Sequence, residues 1–333
     1  MSNGTAWRGK IIEIHSIPEA DKIESAVAVC GVGGRWVGVI SKGSFIVGDE
    51  CDVFVHDALL PEKPEYEFMR QRKFRVKIAT MRGARSECLI MPASVPASIG
   101  DDISEQLGVL KHERPLDASI GGSRRGDFPS FLIKTDETNI QSAYWMLEYL
   151  KDMPIQATIK HDGTSCTAYK YNGEFGVCSR NMILQPGSSV YWLMAMQYGL
   201  QDKLPDNTAV QFEIIGPKIQ GNPEGLTSYE GRLFDVLNII EGHAHREIEC
   251  QVEPMAELLD MPQAERVEIG WLDLSAEDLG TSLLQLATNM KYRNGAKAEC
   301  IVVRPYKQNL TVPHRGYNTR LSLKVINPTY KGG

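Results

Sequence analysis

The chain has 333 residues, of which 36 are Lys or Arg and 42 are Asp or Glu, so its net charge is −6 at pH 7. A negative net charge argues against a protein that coats nucleic acid by bulk attraction. The length suffices for two domains with substantial cores. No apolar run approaches the length of a membrane span, and the first residues lack the apolar segment of a secretory signal. The sequence therefore predicts an intracellular protein, cytoplasmic or in another internal compartment, with no membrane partner.

The seven cysteines are scattered along the chain and are never spaced as Cys-x-x-Cys. An odd number without that spacing favours neither a disulfide framework nor a zinc site. We therefore expect reduced cysteines, most of them buried as small apolar side chains.

The segment from residue 7 to about 110 reads as short strands separated by turns. Apolar residues mark strands over 10–14, 26–30, 36–40 and 51–56, and glycines at 33–34, 43 and 48 mark the turns between them. This spacing is typical of a small antiparallel β-barrel.

Residues 63–85 combine basic and aromatic side chains. The members of this mixture are Arg70, Arg72, Lys73, Arg75, Lys77, Arg82, Tyr66, Phe68 and Phe74. Such a combination is expected of a nucleic-acid surface. The alternative is a solvated β-ribbon with alternating charge, and the sequence leaves both interpretations open.

Residues 116–130 form the predicted linker between a first domain, 1–115, and a second domain, 131–333. The linker contains Pro, Gly-Gly and Arg-Arg-Gly and has little apolar content, as connecting segments do. Beyond it, apolar spacing predicts a helix over 140–150 that packs on the sheet carrying Lys160, and further helices at 191–200, 253–259 and 279–290. Strands dominate the remainder.

The most informative run is KHDGTS, which begins at Lys160. The residues before it read as a strand end and the alternating residues 166–171 read as the next strand, so Asp162 and Gly163 are predicted in a strand-to-strand turn. A turn places Lys160 at the rim of a sheet, where a ligand can reach it. A lysine separated by one residue from Asp-Gly suggests an enzyme that bonds covalently to a nucleotide through nitrogen, and the alternative at this point is an ordinary surface lysine beside a hairpin turn.

Five further segments follow in order: 177–181 with Arg180, 210–216 with Glu213, 232–236 with Phe234, 298–304 with Glu299, and 321–327 with Lys324. In this order they resemble the nucleotidyl motifs of the covalent nucleotidyltransferases. The most similar branch is that of the ATP-dependent RNA ligases with an N-terminal OB domain. Segments 17–21, 48–49 and 134–137 also resemble that branch, so the resemblance covers most of the chain.

The resemblance implies an α+β fold, in which an N-terminal OB-type β-barrel precedes an ATP-grasp-like nucleotidyltransferase domain of antiparallel sheets with flanking helices. It also implies three transfer steps. Lys160 attacks ATP and releases pyrophosphate, the AMP passes to a 5′-phosphate end, and a 3′-hydroxyl then displaces the AMP. The implied partners are ATP, a divalent cation (Mg²⁺ or Mn²⁺) and RNA or a nicked RNA-containing duplex, and the expected state is a monomer.

The resemblance also assigns residues to roles. The implied catalytic residues are Lys160, Glu213, Glu299 and Lys324. The implied nucleotide site adds four residues to these: Thr158 and Ile159 at the adenine edge, Phe234 stacked on the base, and Arg180 at the ribose or phosphates. An aromatic face suits stacking, and a fixed cation such as Lys324 stabilises charge that develops on the α-phosphate.

The nucleophile and the expected metal site are linked through charge. To attack a phosphate, Lys160 must be neutral, yet an ordinary lysine is protonated at pH 7 by roughly 4 to 5 kcal/mol. A divalent ion beside the α-phosphate would disfavour the ammonium form. Hard cations prefer oxygen ligands, so Asp162, Glu213 and Glu299 are the expected metal site, either directly or through water.

Several positions depart from the family pattern or carry no clear signal. Phe212 and Cys300 stand where the family commonly has glycine, and Ser322 stands where several relatives have a second lysine. Arg320 or Lys218 is expected to supply the missing cation. The histidine at 161 is expected to be a solvent-facing turn residue, with a proton relay as the less simple alternative.

Two other functions remain open at this point. The first is another covalent nucleotidyltransferase, either a DNA ligase or an RNA-capping guanylyltransferase, and the nucleotide attached to Lys160 would identify it. The second is a non-catalytic RNA-binding protein whose transferase-like domain is idle because of the three departures. Such a protein would bind RNA with a steep salt dependence and never retain AMP.

Overall fold

The structure, a computed structural model, describes residues 4–31, 34–112, 117–135, 137–246, 252–306, 309–314 and 317–330. The chain divides into two compact units. The first unit comprises Met1–Arg114 and Asn139–Met146, and the second comprises Pro115–Thr138 and Leu147–Gly333. Within the described ranges, no helix is long and apolar enough to cross a membrane.

The first unit is built mainly of β-strands. Its elements are β1 (Ala6–Ser16), β2 (Ile23–Cys30), β3 (Gly34–Ser41), β4 (Glu50–Phe54), β5 (Ala58–Leu59), a 3-10 helix (Pro64–Arg72), β6 (Ala79–Met81), β7 (Ala84–Ser86), β8 (Leu89–Pro92), α1 (Ser104–Leu107) and β9 (Leu110–Lys111). The strands predicted at 10–14, 26–30, 36–40 and 51–56 are confirmed by β1, β2, β3 and β4.

Five strands of the first unit form an antiparallel sheet in the order β3-β2-β1-β4-β8. Along β3, Trp36, Gly38 and Ile40 are buried and alternate with partly exposed residues, because successive side chains of a strand point to opposite faces. The two ends of the sheet approach each other, since β3 also contacts β8 and the Glu87 amide donates to the Val37 carbonyl at 2.7 Å. The sheet thus curls as a small barrel does.

The helix predicted over 140–150 is wrong in form. The structure has two 3-10 turns, Ile140–Ser142 and Tyr144–Met146, followed by α3 (Leu147–Leu150). The break has a local cause, because Ala143 leaves the helical region with φ −141° and ψ 43°. The placement is also wrong in part, since residues 139–146 group with the first unit.

The remaining elements belong to the second unit, except that β11 begins there at Thr138 and ends at Asn139, which groups with the first unit. They are α2 (Ala118–Gly121), β10 (Arg124–Asp127), β11 (Thr138–Asn139), β12 (Ile155–Lys160), β13 (Thr164–Tyr171), β14 (Glu174–Cys178), β15 (Met182–Leu184), α4 (Val190–Gln197), α5 (Leu200–Lys203), β16 (Thr208–Ile215), β17 (Glu230–Ile240), β18 (His243–His245), α6 (Val252–Leu259), β19 (Arg266–Gly270), α7 (Ala276–Asn289), β20 (Cys300–Pro305), β21 (Thr311–His314), β22 (Tyr317–Arg320) and β23 (Leu323–Ile326). The helices predicted near 191–200, 253–259 and 279–290 are confirmed by α4, α6 and α7.

Two sheets organise these elements. The larger has the order β10-β15-β14-β13-β16-β17-β18, and the smaller has the order β11-β23-β20-β12-β19. Within the segment 116–130, for which the sequence predicts a linker, α2 forms one helical turn and β10 pairs with β15 as an edge strand of the larger sheet.

The two faces of the seven-stranded sheet differ in chemistry. One face carries apolar residues such as Cys166, Val210 and Phe212, which pack in a core with side chains of α4 and α6. Alternation sends the polar residues of β13 and β16 to the other face. That polar face carries Ser165, Thr167, Gln211 and Glu213, which lie opposite one another in the β13–β16 ladder.

Candidate active site

The turn between β12 and β13 holds the KHDGTS run. Lys160 is the last residue of β12 and Thr164 is the first of β13, so the predicted strand-to-strand turn at Asp162 and Gly163 is confirmed. A Cβ at Gly163 would collide with the Ile214 carbonyl oxygen and the side chain of Glu213. Glycine is therefore required here because β16 passes directly behind the turn.

Lys160 is held by an acidic partner. Its Nζ donates to Glu299 Oε2 at 2.9 Å, and its side chain is 36% exposed. Burial alone would lower the pKa of Lys160, but the negative charges of Glu299 and other neighbours, including Glu213, together with the hydrogen bond to Glu299, outweigh it and hold the pKa well above the ordinary value. In the absence of nucleotide, the side chain is therefore an ammonium that must lose a proton before it can act as a nucleophile.

Strand register places several predicted residues on one face of the five-stranded sheet. Lys160 lies opposite Cys300, and Thr158 lies opposite Val302, which in turn faces Lys324 on β23. Directly opposite residues of an antiparallel pair share a face, so Lys160, Thr158 and Lys324 lie together. Ile159 points the other way and packs beside Tyr292 in a separate apolar cluster, so only its backbone is available on the Lys160 face.

Glu213 adds a carboxylate from the other sheet. It lies opposite Ser165 on β13 and Arg232 on β17. Burial raises the pKa of Glu213 to about 7, and the charges of Glu299 and Asp162 act in the same direction while Lys160 opposes them. The carboxylates around Lys160 thus outnumber its positive charge.

The three predicted metal ligands are engaged with neighbouring side chains or buried. Among the described residues, no group of three or more His, Cys, Asp or Glu side chains is arranged to hold a metal by itself. Glu299 binds Lys160, and Asp162 Oδ2 accepts from the Tyr330 hydroxyl at 2.6 Å. An excess of carboxylates nevertheless fits a cation that keeps part of its water and shares nucleotide phosphates, as Mg²⁺ commonly does.

Phe234 sits at an irregularity in β17. Gln211 pairs with Asp235, and the next residue, Phe212, pairs with Leu233, so Phe234 is the extra residue of a β-bulge. A bulge re-aims a side chain relative to its strand. Phe234 is half-buried, in contrast to Phe212, which is fully buried in the core.

The remaining predicted residues have simple placements. Arg180 is half-buried in the turn that follows β14, and Lys324 is half-buried on β23. Cys300 is buried at the start of β20, where it pairs with Lys160. Phe212, which departs from the family pattern, is therefore a core residue, and Cys300, the other departure, belongs to the β12–β20 strand pair. Neither residue displaces Glu213 or Glu299 from the neighbourhood of Lys160.

The expectation for His161 is wrong. Its side chain is 2% exposed, and its two ring nitrogens lie 2.6 Å from Glu224 Oε1 and 2.7 Å from Glu265 Oε2. Burial opposes protonation, but these two carboxylates raise the pKa of His161 above its ordinary value. The imidazole of His161 thus fixes the turn beside Lys160 to the loop that follows β16 and to the segment that precedes β19.

Tyr292 provides a second anchor that sequence reasoning missed. Its hydroxyl oxygen accepts from the backbone amide of Asp162 at 3.2 Å and from that of Glu299 at 3.0 Å. The β12–β20 ladder ends at Lys160 and Cys300, so the hydroxyl joins the two chains just beyond the last strand pair. The Tyr292 ring also stacks on His161, with ring centroids 5.6 Å apart.

A buried ion-pair cluster, which we call the arginine cluster, lies on the same sheets. Its members are Arg246, Arg304, Arg320, Glu137 and Asp235. Arg304 Nε also donates to the Ser322 hydroxyl at 2.9 Å. Arg320 donates to Glu137, Asp235 and Asn309, so its guanidinium is committed and the expectation that it supplies a free phosphate-binding cation is wrong.

The basic segment of the first unit is not the β-ribbon that one interpretation expected. Its first half is the 3-10 helix Pro64–Arg72, and only its second half forms a hairpin, β6–β7. Tyr66 and Phe74 are buried in the core.

An exposed basic surface remains in that segment. Lys73, Lys77 and Arg82 are exposed, and Phe68 is 59% exposed. Exposed cations and an exposed aromatic ring within one segment suit contacts to a nucleic-acid backbone and to an unstacked base. We call these four residues the basic surface.

The part of the chain that contains Lys160 is similar to a known protein family. The RNA ligase family model matches residues 153–326, which is more than half of the chain. The chain belongs to the RNA ligase family. An OB-fold domain model matches residues 7–93, and a search of the curated proteins finds no match to this RNA ligase.

Solved structures of Naegleria gruberi RNA ligase are similar over nearly the whole chain. A substituted variant with ATP and manganese has a TM-score of 0.80 and 26% identity, and the match covers 97% of both chains. The same ligase with pyrophosphate has a TM-score of 0.81 and 26% identity, covering 98% of this chain and 97% of that one. A variant with AMP and manganese has a TM-score of 0.80 and 27% identity, with the same coverage. The expected α+β fold, with an OB-type domain before a nucleotidyltransferase domain, is confirmed.

Proposed function

We propose that this RNA ligase uses ATP to join a 3′-hydroxyl to a 5′-phosphate through an AMP bonded to Lys160. The observation that carries the proposal is the placement of Lys160 at a strand end, bonded to Glu299 at 2.9 Å and on the same face as Lys324. The similar Naegleria gruberi structures that contain ATP, pyrophosphate and AMP support the choice of nucleotide.

The reaction consists of three in-line displacements at phosphorus. Neutral Lys160 Nζ attacks the α-phosphorus of ATP and releases a proton to solvent, so an N–P bond forms while the P–O bond to pyrophosphate breaks. An oxygen of a 5′-phosphate end then attacks the same phosphorus, the N–P bond breaks and the lysine regains a proton. Finally a 3′-hydroxyl oxygen attacks the 5′-phosphate, loses its proton and displaces AMP. Positioning and charge neutralisation carry such steps.

The predicted nucleotide-binding residues take the following proposed roles. Phe234 stacks on adenine, while Thr158 and the backbone of Ile159 lie at its edge. Lys324 and Arg180 bind the phosphates and ribose. The roles of Thr158 and Lys324 use the strand register that places both on the face of Lys160. The role of Phe234 uses its position in the bulge of β17, and the role of Arg180 rests on the resemblance to the family.

A divalent cation is part of the proposal. The ion would be held by Glu213, Glu299 and Asp162, directly or through water, together with the phosphates of ATP. When bound, it would neutralise phosphate oxygens and disfavour the ammonium form of Lys160. Burial raises the pKa of Glu213 to about 7 and the charges of Glu299 and Asp162 add to this rise, so the excess of carboxylates supports a cation at this position.

The substrate proposed for this RNA ligase is a nick in an RNA-containing duplex. We assign contacts with the nucleic-acid backbone to the basic surface. In this proposal the basic surface belongs to a first domain of residues 1–115, which residues 116–130 join to a catalytic domain of residues 131–333. The protein acts as a monomer. If Lys73, Lys77 and Arg82 neutralise phosphates, their combined replacement by alanine lowers the slope of log affinity against log salt by up to about 0.9 per contact on duplex. Gel-shift titrations at several salt concentrations measure this slope.

Intact-protein mass spectrometry tests the central step. The wild-type chain, first shown to be free of bound AMP, is incubated with ATP and Mg²⁺ or Mn²⁺ beside Lys160→Ala. A gain of one AMP that disappears in Lys160→Ala supports the proposal. Lys170→Ala is the matched control, because Lys170 is a half-buried lysine on β13 that donates to the Gln201 carbonyl and should leave the adduct intact.

Two outcomes would contradict the proposal. No adduct with either metal would indicate a non-catalytic RNA-binding protein, and an adduct formed only from GTP would indicate an RNA-capping enzyme.

Once the adduct is isolated, nicked duplexes and single strands are offered with RNA or DNA at the 3′-hydroxyl. Faster sealing of the nicked duplex is the expected result, and faster joining of free single strands would contradict the nick proposal.

A further inference from the structure

Strand β12 carries three polar side chains on the face of Lys160, and their burial increases along the strand. Lys160 at the end of the strand is 36% exposed, Thr158 is half-buried, and Gln156 is only 5% exposed. The period of two along a strand keeps all three on one face. Gln156 therefore lies at the closed end of the row that begins with the nucleophile.

The side-chain amide of Gln156 has an unused acceptor. Its Oε1 is buried and, within the described part of the chain, has no hydrogen-bond partner. Arg304 lies directly opposite but directs donors to the Ser322 hydroxyl, the Phe234 carbonyl and Glu137. A buried amide oxygen without a donor is unfavourable, because folding has removed the water that would solvate it. A donor supplied by a ligand would relieve this cost.

The surroundings of Gln156 indicate which ligand group that is. Arg304 Nη1 donates to the backbone carbonyl of Phe234 at 3.5 Å, so the closed end of the row lies beside the aromatic residue proposed to stack on the base. A base seated there, with its phosphates toward Lys160, presents its far edge to Gln156. On adenine the donor of that edge is the 6-amino group.

We propose that Gln156 Oε1 accepts a hydrogen bond from the 6-amino group of adenine and so determines the nucleotide specificity of this RNA ligase. The inference rests on the proposed use of ATP. It adds a specificity residue four positions before the nucleophile, at a place that motif spacing did not single out.

The test compares ATP with purine riboside triphosphate, which lacks only the 6-amino group. The rate of adduct formation on Lys160 is measured by intact mass with each nucleotide below saturation. Wild-type protein is expected to prefer ATP at least about tenfold, because the analogue leaves the buried oxygen unpaired. In Gln156→Leu the ratio is expected to fall to about twofold or less, while Gln156→Glu keeps an acceptor and retains the preference.

Gln141→Leu is the matched control, since Gln141 is also a buried glutamine with an unpaired Oε1 but belongs to the first unit. Its nucleotide ratio should equal that of wild type. Equal rates of wild type with the two nucleotides, or an unchanged ratio in folded Gln156→Leu, would overturn the inference. If no variant at 156 folds, the wild-type ratio alone decides. Failure of ATP itself to form an adduct would instead reject the proposed function.

Discussion

The second unit contains two groups of charged side chains whose balances are opposite. Around Lys160, one ammonium faces the carboxylates of Asp162, Glu213 and Glu299, and burial together with this crowding raises the pKa of Glu213 to about 7. In the arginine cluster, three guanidinium groups face the carboxylates Glu137 and Asp235.

The carboxyl pKa values of the two groups shift in opposite directions, upward for Glu213 and downward in the arginine cluster. Burial would raise the pKa of Glu137 and of Asp235, but the neighbouring arginines hold both below their ordinary values. The carboxylates of the arginine cluster are therefore paired within the protein, and the cluster joins β17 of one sheet to β20 of the other. The group around Lys160 is short of positive charge, as expected where a cation and a nucleotide bind.

The largest expected effect concerns the stability of the arginine cluster. In Glu137→Gln, Arg304 and Arg320 lose a shared carboxylate within a buried network, so the free energy of unfolding should fall by about 3 kcal/mol. Urea titration measures the change. Glu174→Gln, which removes the partner of Arg125 in an exposed pair, is the control and should cost less than about 1 kcal/mol. Equal losses in the two variants would show that the cluster is not a structural tie.

The next effect concerns the carboxylates around Lys160 and should affect rate without lowering stability. Glu213→Gln removes one of the crowded charges while keeping its shape, so the rate of adduct formation should fall about 100-fold or more. The free energy of unfolding should stay the same or rise, because like charges no longer repel. Quench-flow with intact mass and urea titration provide the two values, with the exposed Glu257→Gln as control. A stability loss as large as that of Glu137→Gln would erase the contrast between the groups.

A smaller effect is expected for the hydroxyl that ties the nucleophile turn to Glu299. Tyr292→Phe leaves two backbone amides without their acceptor, so unfolding free energy should fall by about 1 to 2 kcal/mol. Adduct formation should slow about tenfold, since Lys160 and Glu299 lose a fixed spacing. Tyr198→Phe removes a hydroxyl that accepts from the Gly231 amide and should reduce stability alone. A slower rate in both variants would assign the effect to general loosening.

The smallest effect is a pH dependence within the arginine cluster. Because the folded pKa of Glu137 lies below its ordinary value of 4.5, its stabilising contribution is complete above that pH and is lost as pH falls through the folded pKa. The stability difference between wild type and Glu137→Gln should stay constant from pH 7 to about 5 and narrow by about 1 kcal/mol as pH falls below 4.5. A difference that widens on acidification would contradict the lowered pKa.

Local patterns predicted much of this molecule correctly. Alternation located the first four strands, and the Asp-Gly pair located the turn after Lys160. The failures share a cause, which is partners that lie far away in sequence. Glu224 and Glu265, which hold His161, lie 63 and 104 residues from it, and Tyr292 lies 130 residues from Asp162. The short-range sequence around each residue contains no signal for these contacts.

The sequence by itself determined the periodic elements, the turn that exposes Lys160 and the order of the motif residues, because each depends on side chains within a few positions. Only the tertiary structure decided the charge balance around Lys160, the burial of His161 and the commitment of Arg320. Those properties depend on which distant strands pair and in which register. Burial and the distances between charged groups set pKa values and partner choice, and neither is fixed until the sheets have formed.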